Sequence, residues 1–100
     1  MSKFKVERKP THPGAVFKYD VLEPLDISIT AAAQMLGITR KHLSNFVNGK
    51  VPCTPELAHR LAYMTNTTVA SWLNMQNALN IWEEEQKEAP EGVQRLEAFA

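Results

Sequence analysis

One cysteine, four glycines and three separated histidines leave this 100-residue chain with little of what enzyme and metal chemistry usually needs. A single thiol, Cys53, excludes a disulfide framework and any paired-thiol metal site. Beside prolines it reads as a small, semi-buried turn residue rather than a redox switch. His12, His42 and His59 have no Cys, Asp or second His at a metal-ligand spacing. No glycine loop is present that would cradle a phosphate, and Ser44 has no nearby base to activate it. No apolar run approaches membrane-spanning length, and the opening MSKFKVERKP lacks the apolar core of a signal peptide. The expectation is a cytoplasmic protein that is not an enzyme, with no cofactor, no metal and no membrane partner.

A more local absence is more telling. From Thr30 to Lys50 there is no Asp or Glu, where an ordinary solvated face carries both signs. The net charge of zero conceals an asymmetry: residues 1–50 hold eight basic and four acidic side chains, residues 51–100 three and seven. The halves therefore carry +4 and −4. The basic half suits phosphate, and the acidic half suits solvent or a basic protein. Glu83, Glu84, Glu85 and Glu88 read as a solvated run. With 44% hydrophobic residues the chain has enough apolar material for one compact domain with tails.

The acid-free stretch also carries a pattern. Ala32 and Ala33 are small enough for two helices to approach closely. Gly37 follows Leu36 where a first helix should stop in left-handed backbone, a conformation glycine adopts without steric cost. Ile38 fills the corner, and Thr39 is suited to cap a second helix by accepting an orphan amide. Along that second helix Leu43, Phe46 and Val47 share one face, while Arg40, Lys41, Ser44, Asn45 and Asn48 share the other. Leu43 and Phe46 are expected in the core. Residues 29–49 thus read as a helix-turn-helix.

The flanks complete an all-α reading. Residues 1–11 form a polar, basic, mobile arm, and the domain spans 12–87. Pro13 opens helix one, with Val16, Phe17, Val21 and Leu22 on its apolar face and Pro24 at its close. His12 is a local turn residue. Leu25–Ile29 connect to helix two. Thr54-Pro55-Glu56 starts helix four, whose buried face is Leu57, Ala58, Leu61 and Ala62. Asn66 to Thr68 break the pattern, and Thr68 caps a long helix five running towards Lys87. There Trp72, Leu73, Gln76 and Leu79 suit the domain, while Met75, Ala78 and Trp82 lie partly round the cylinder. Either a partner covers this second stripe, or Pro90-Glu91-Gly92 reverses the chain so that Val93, Leu96 and Phe99 fold back over it. The partner is preferred. Residues 88–100 are a tail with room for a helical turn.

Several segments, in order, resemble the HigA family of antitoxins, Xre/Cro-type repressors of bacterial toxin–antitoxin modules. They are His12-Pro13-Gly14, Leu22-Glu23-Pro24-Leu25, the reader ending Asn48-Gly49-Lys50, Thr54-Pro55-Glu56-Leu57-Ala58 with Arg60-Leu61-Ala62, and Trp72-Leu73-Asn74-Met75-Gln76-Asn77 with Trp82 beyond. The likeness covers roughly residues 12–83; Val51-Pro52-Cys53 departs from the plainer turn common in the family. The resemblance implies a five-helix, lambda-repressor-like domain. It also implies a homodimer on a palindromic operator in its own promoter, and a partner toxin of the HigB type, a small mRNA endonuclease. A stand-alone Xre-type repressor, or a helical protein-interaction module, are the alternatives.

In the helix-turn-helix reading, Arg40, Lys41, Ser44 and Asn45 lie closest to base edges, because the N-terminal part of the second helix points into the major groove. Gln34, Asn48 and Lys50 grip phosphate at its margins, and Thr39 divides its hydroxyl between cap and backbone contact. His42, beside that stripe, suits a phosphate contact and simple exposure about equally. Met75, Ala78 and Trp82 are the expected dimer interface.

Overall fold

The computed structural model describes residues 8–100, so most of the expected N-terminal arm, residues 1–7, lies outside the described residues. Helix α1 (Pro13–Phe17) opens with proline at its first position, where the missing amide has no role. His12 is its cap: the ring Nδ1 accepts the Gly14 amide at 2.8 Å. Beyond Phe17 the coil widens into a π-helical segment, Lys18–Leu22, rather than the uninterrupted helix expected from the spacing. The Glu23 amide bonds the Lys18 carbonyl five residues back, and Pro24 has no amide to continue the ladder. Asp26, at φ 54°, then turns the chain.

Helix α2 (Ile29–Leu36) begins inside the connector expected at Leu25–Ile29, because Ser28 Oγ accepts the Ala31 amide at 3.1 Å and caps it. It ends at Gly37, φ 72°, with the Ile38 amide returning to the Ala33 carbonyl. Thr39 caps α3 (Arg40–Val47) through the His42 amide at 3.0 Å. Thr54 caps α4 (Pro55–Thr65), which stops at Asn66 in left-handed backbone. Thr68 caps α5 (Val69–Glu85), two residues short of the expected end at Lys87. Counting the π segment with α1, the described residues form five helices and no strand.

The core lies where these helices meet. Phe17, Leu43, Phe46 and Leu61 are fully buried, with Ala32 and Ala33 set between α2 and its neighbours. Phe17 meets the edge of Trp72 at 6.1 Å between ring centres, which docks α5 on α1. Trp72 Nε1 donates to Thr67 Oγ1 at 2.8 Å, fixing the start of α5. Leu57, Ala58, Leu61 and Ala62 are the buried face of α4, as the spacing predicts.

The tail does not fold back. Val93, Leu96 and Phe99 are all exposed, and the only regular structure there is one 3-10 turn, Glu97–Phe99. Three apolar side chains spread along a polar segment offer little area against the entropy of ordering it.

Candidate nucleic-acid interface

The surface of α3 is built from below. Leu43, Phe46 and Val47 anchor the helix in the core, so its remaining residues must face outward. At about 100° per residue, Lys41, Asn45 and Asn48 fall within about 60° of one another, with Ser44 and Arg40 on the flank towards α2. Arg40, Lys41, Asn48 and Lys50 are exposed; Ser44 and Asn45 are half-buried. Between Asp26 and Glu56 the sequence has no carboxylate, and among the described residues none of Arg40, Lys41 and Lys50 is in an ion pair.

Individual side chains are prepared differently. Arg40 donates Nε to Thr30 Oγ1 at 3.0 Å, which braces the stem against α2 and leaves the two terminal nitrogens of the guanidinium free. That is the fork that can bridge guanine N7 and O6. Asn45 has no hydrogen-bond partner for its carboxamide among the described residues, so both its donor and its acceptor remain available. Asn48 donates one hydrogen of its amide nitrogen to the Ser44 carbonyl of its own helix, at 2.8 Å, and keeps its second N–H and its oxygen free. Gly49, φ 74°, then lets the Lys50 amide close back on the Asn45 carbonyl, which sets Lys50 just past the helix end. Gln34 is exposed on α2, and Thr39 is committed through Oγ1 to the His42 amide.

Three supports of the interface were not anticipated from the sequence. His12 reaches across the domain, donating Nε2 to the Val51 carbonyl at 3.0 Å, and meets the edge of Phe46. Gly14 lets α1 cross against the last turn of α3: a Cβ there would stand 1.8 Å from the Phe46 carbonyl oxygen. Arg60 donates Nη1 to the Leu36 carbonyl at 2.8 Å, closing the C-terminal end of α2, while Nη2 pairs with Glu56. Cys53, behind the loop, is more deeply buried than the expected semi-buried turn residue. Its amide donates to Gln76 Oε1 at 2.7 Å, and burial pushes its thiol up to about 11.

On α5 the three residues of the second stripe are placed unequally. Met75 is half-buried and packs against the domain's own core, and Ala78 is exposed. Trp82 is half-buried with the Lys9 ammonium 5.9 Å from its ring centre, and its indole N–H is buried with no hydrogen-bond partner. Ile81, beside them, is exposed and lies outside the expected stripe. Among the described residues no cluster of His, Cys, Asp or Glu is placed to hold a metal ion, and no helix is long and apolar enough to cross a membrane.

A five-helix, all-α domain with a capped helix-turn-helix whose second helix carries no carboxylate defines a DNA-binding regulator of the Xre/Cro type. The chain belongs to the HigA-type antitoxin family within that class. It is 42% identical to the helix-turn-helix transcriptional regulator YbaQ of Escherichia coli K12 over 93% of this chain and 83% of that protein. It is 37% identical to antitoxin HigA-1 of Vibrio cholerae over 79% of this chain and 74% of that one. Its fold matches the antitoxin GraA solved in complex with its operator, with a TM-score of 0.79 at 29% identity, over 92% of this chain and 96% of that one. No family model matches the chain. These relatives are transcriptional regulators and antitoxins, not enzymes.

Proposed function

We propose that the chain is a homodimeric repressor that binds a palindromic operator in its own promoter with α3 in the major groove, and that it silences a HigB-type mRNA endonuclease toxin. The observation that carries the DNA half is the outward face of α3. Arg40 and Asn45 present free bidentate groups beside Lys41 and Ser44, and neither α2 nor α3 carries a carboxylate. Lys50, Asn48 and Gln34 at the margins take phosphate oxygens, which position the helix without reading sequence. YbaQ and HigA-1 are relatives of the chain over most of its length, and GraA, a structural relative, was solved on its operator.

One such helix touches few base pairs, so two copies with readers about 34–36 Å apart are required to match a palindrome. Ala78, Ile81 and Trp82 on α5, with Met75 at the inner edge, are the surface through which the copies pair. The site of action is the cytoplasm, where the operator lies. A mobility shift with the chain's own upstream fragment, set against random duplex, tests the repressor; sedimentation at tens of micromolar tests the dimer. Monomer alone at that concentration contradicts the pairing.

The toxin half rests on the likeness to HigA-1 and on the acidic second half of the chain, since opposite charge steers association. A second reading, a stand-alone repressor, is favoured by relatives named only as regulators, YbaQ among them. Co-expression with a HigB-type toxin separates the two: rescue of growth supports the antitoxin, and continued arrest leaves the repressor alone.

A further inference from the structure

A groove runs between α2 and α4 whose apolar residues are assigned neither to DNA reading nor to dimer pairing. Two depressions of about 540 and 350 Å³ share Met35 and Met64 as a common wall. Tyr63 stands over one end, 90% exposed, and Leu25 over the other, 65% exposed, with Met35 between them at 62%. Three large apolar side chains left in water along one groove form a patch a monomer has no use for. Methionine and tyrosine are also residue types that protein interfaces favour: one adapts its shape, and the other brings rigid area with a polar tip.

The rim specifies the partner. Asp20 lines the groove, and Glu23 and Asp26 bracket Leu25 in the chain. Among the described residues none of these three carboxylates is in an ion pair, whereas Arg60, on the other side, is already held by Glu56 and the Leu36 carbonyl. These unpaired acids belong to the half of the chain that is otherwise basic. On α2, Met35 is about 140° round the helix from Thr30, the residue that touches Arg40.

We propose that this α2–α4 groove is the docking surface for a basic protein, which inserts an apolar side chain over Met35 and Met64 and sets Lys or Arg against Asp20, Glu23 and Asp26. This deepens the toxin half of the proposed function and rests on it: a small basic ribonuclease is the partner whose chemistry fits.

The test is calorimetric titration of the full chain with a catalytically inactive HigB-type toxin. The probe is the toxin encoded beside this chain or, where none is, the cognate toxin of V. cholerae HigA-1. Met35→Ser and Tyr63→Ser are expected to weaken binding at least tenfold, and Asp20→Lys with Glu23→Lys to weaken it further at low salt than at high salt. Lys41→Ala, on the DNA face, is the control and binds as the parent does. All these positions are exposed, and unchanged thermal melts establish that each variant is folded. If the parent binds and the groove variants bind equally well, the groove is not the docking surface, while the antitoxin reading stands. If the parent does not bind the toxin, the antitoxin reading fails and takes this occupant with it, while operator binding is measured separately and is untouched.

Discussion

His12 donates its ring Nε2 to the carbonyl oxygen of Val51, 3.0 Å away and 39 residues along the chain, which straps the start of α1 to the loop that follows α3. The other ring nitrogen accepts the Gly14 amide, so the neutral tautomer with its proton on Nε2 satisfies both bonds at once. One side chain therefore caps a helix and fixes the exit of α3. His12→Ala is expected to cost about 1–3 kcal/mol, combining a lost cap with a lost long-range hydrogen bond. His12→Asn should recover part of it, since its shorter side chain can cap but not reach Val51. Urea denaturation of the three proteins checks this ordering.

Gly14 provides the adjacent test. In an isolated helix Gly→Ala stabilises by about 1 kcal/mol. Here the new Cβ would lie 1.8 Å from the Phe46 carbonyl oxygen and 3.0 Å from the Val47 Cα, both backbone-side atoms that cannot rotate away. Gly14→Ala should therefore destabilise by about 3 kcal/mol or more, at or beyond the usual range for overpacking. A neutral or raised midpoint in thermal unfolding would show that α1 and α3 do not cross this closely.

Much of this framework is legible in the sequence, for reasons that particular residues make plain. Gly37, Thr39, Thr54-Pro55 and Thr68 act within one turn of themselves, so their roles follow from local chemistry, and each is found at the helix end expected of it. The alternating burial of Leu43, Phe46 and Val47 follows from helical period. What was not legible depends on distance in the chain. That His12 would meet Val51, Gly14 the Phe46 backbone and Gln76 the Cys53 amide depends on how α1 and α5 cross the rest, which no local pattern encodes. The π segment at Lys18–Leu22 was hidden for another reason: its apolar spacing resembles that of an α-helix. Ser28 is the exception, a cap of ordinary type that could have been recognised one residue before Ile29.

Thr30 is expected to govern how well Arg40 reads. Its hydroxyl holds Nε of the guanidinium at 3.0 Å, and Thr30→Val removes that hold while keeping the shape of the side chain. Operator affinity should fall by about 0.5–1.5 kcal/mol, the worth of one hydrogen bond, with random duplex unaffected. In an Arg40→Ala background the same change should have no effect. A double-mutant cycle measures this coupling, and simple additivity would show that the contact does not prepare the reader.

Cys53 links burial to pH. Desolvation raises its thiol from 9.0 to about 11, so the folded state prefers the neutral form more strongly than the unfolded state does. The resulting stability is fully present below pH 9 and is lost as pH rises towards 11. Wild type should therefore lose stability faster than Cys53→Ala over that window, and the two should run parallel at lower pH. At neutral pH a thiol reagent should react with the folded chain only as fast as it opens.

The central claim is that α3 reads bases through Arg40 and Asn45 while Lys50 grips the backbone. Affinities for a selected operator and for random duplex, measured across a salt series for each alanine variant, test it most directly. Arg40→Ala and Asn45→Ala should each cost about 1–3 kcal/mol on the operator and little on random DNA. Lys50→Ala should weaken both duplexes alike and reduce the salt slope by about one. If Arg40→Ala and Asn45→Ala both leave operator affinity unchanged in a folded protein, α3 is not the reading helix and the account is contradicted.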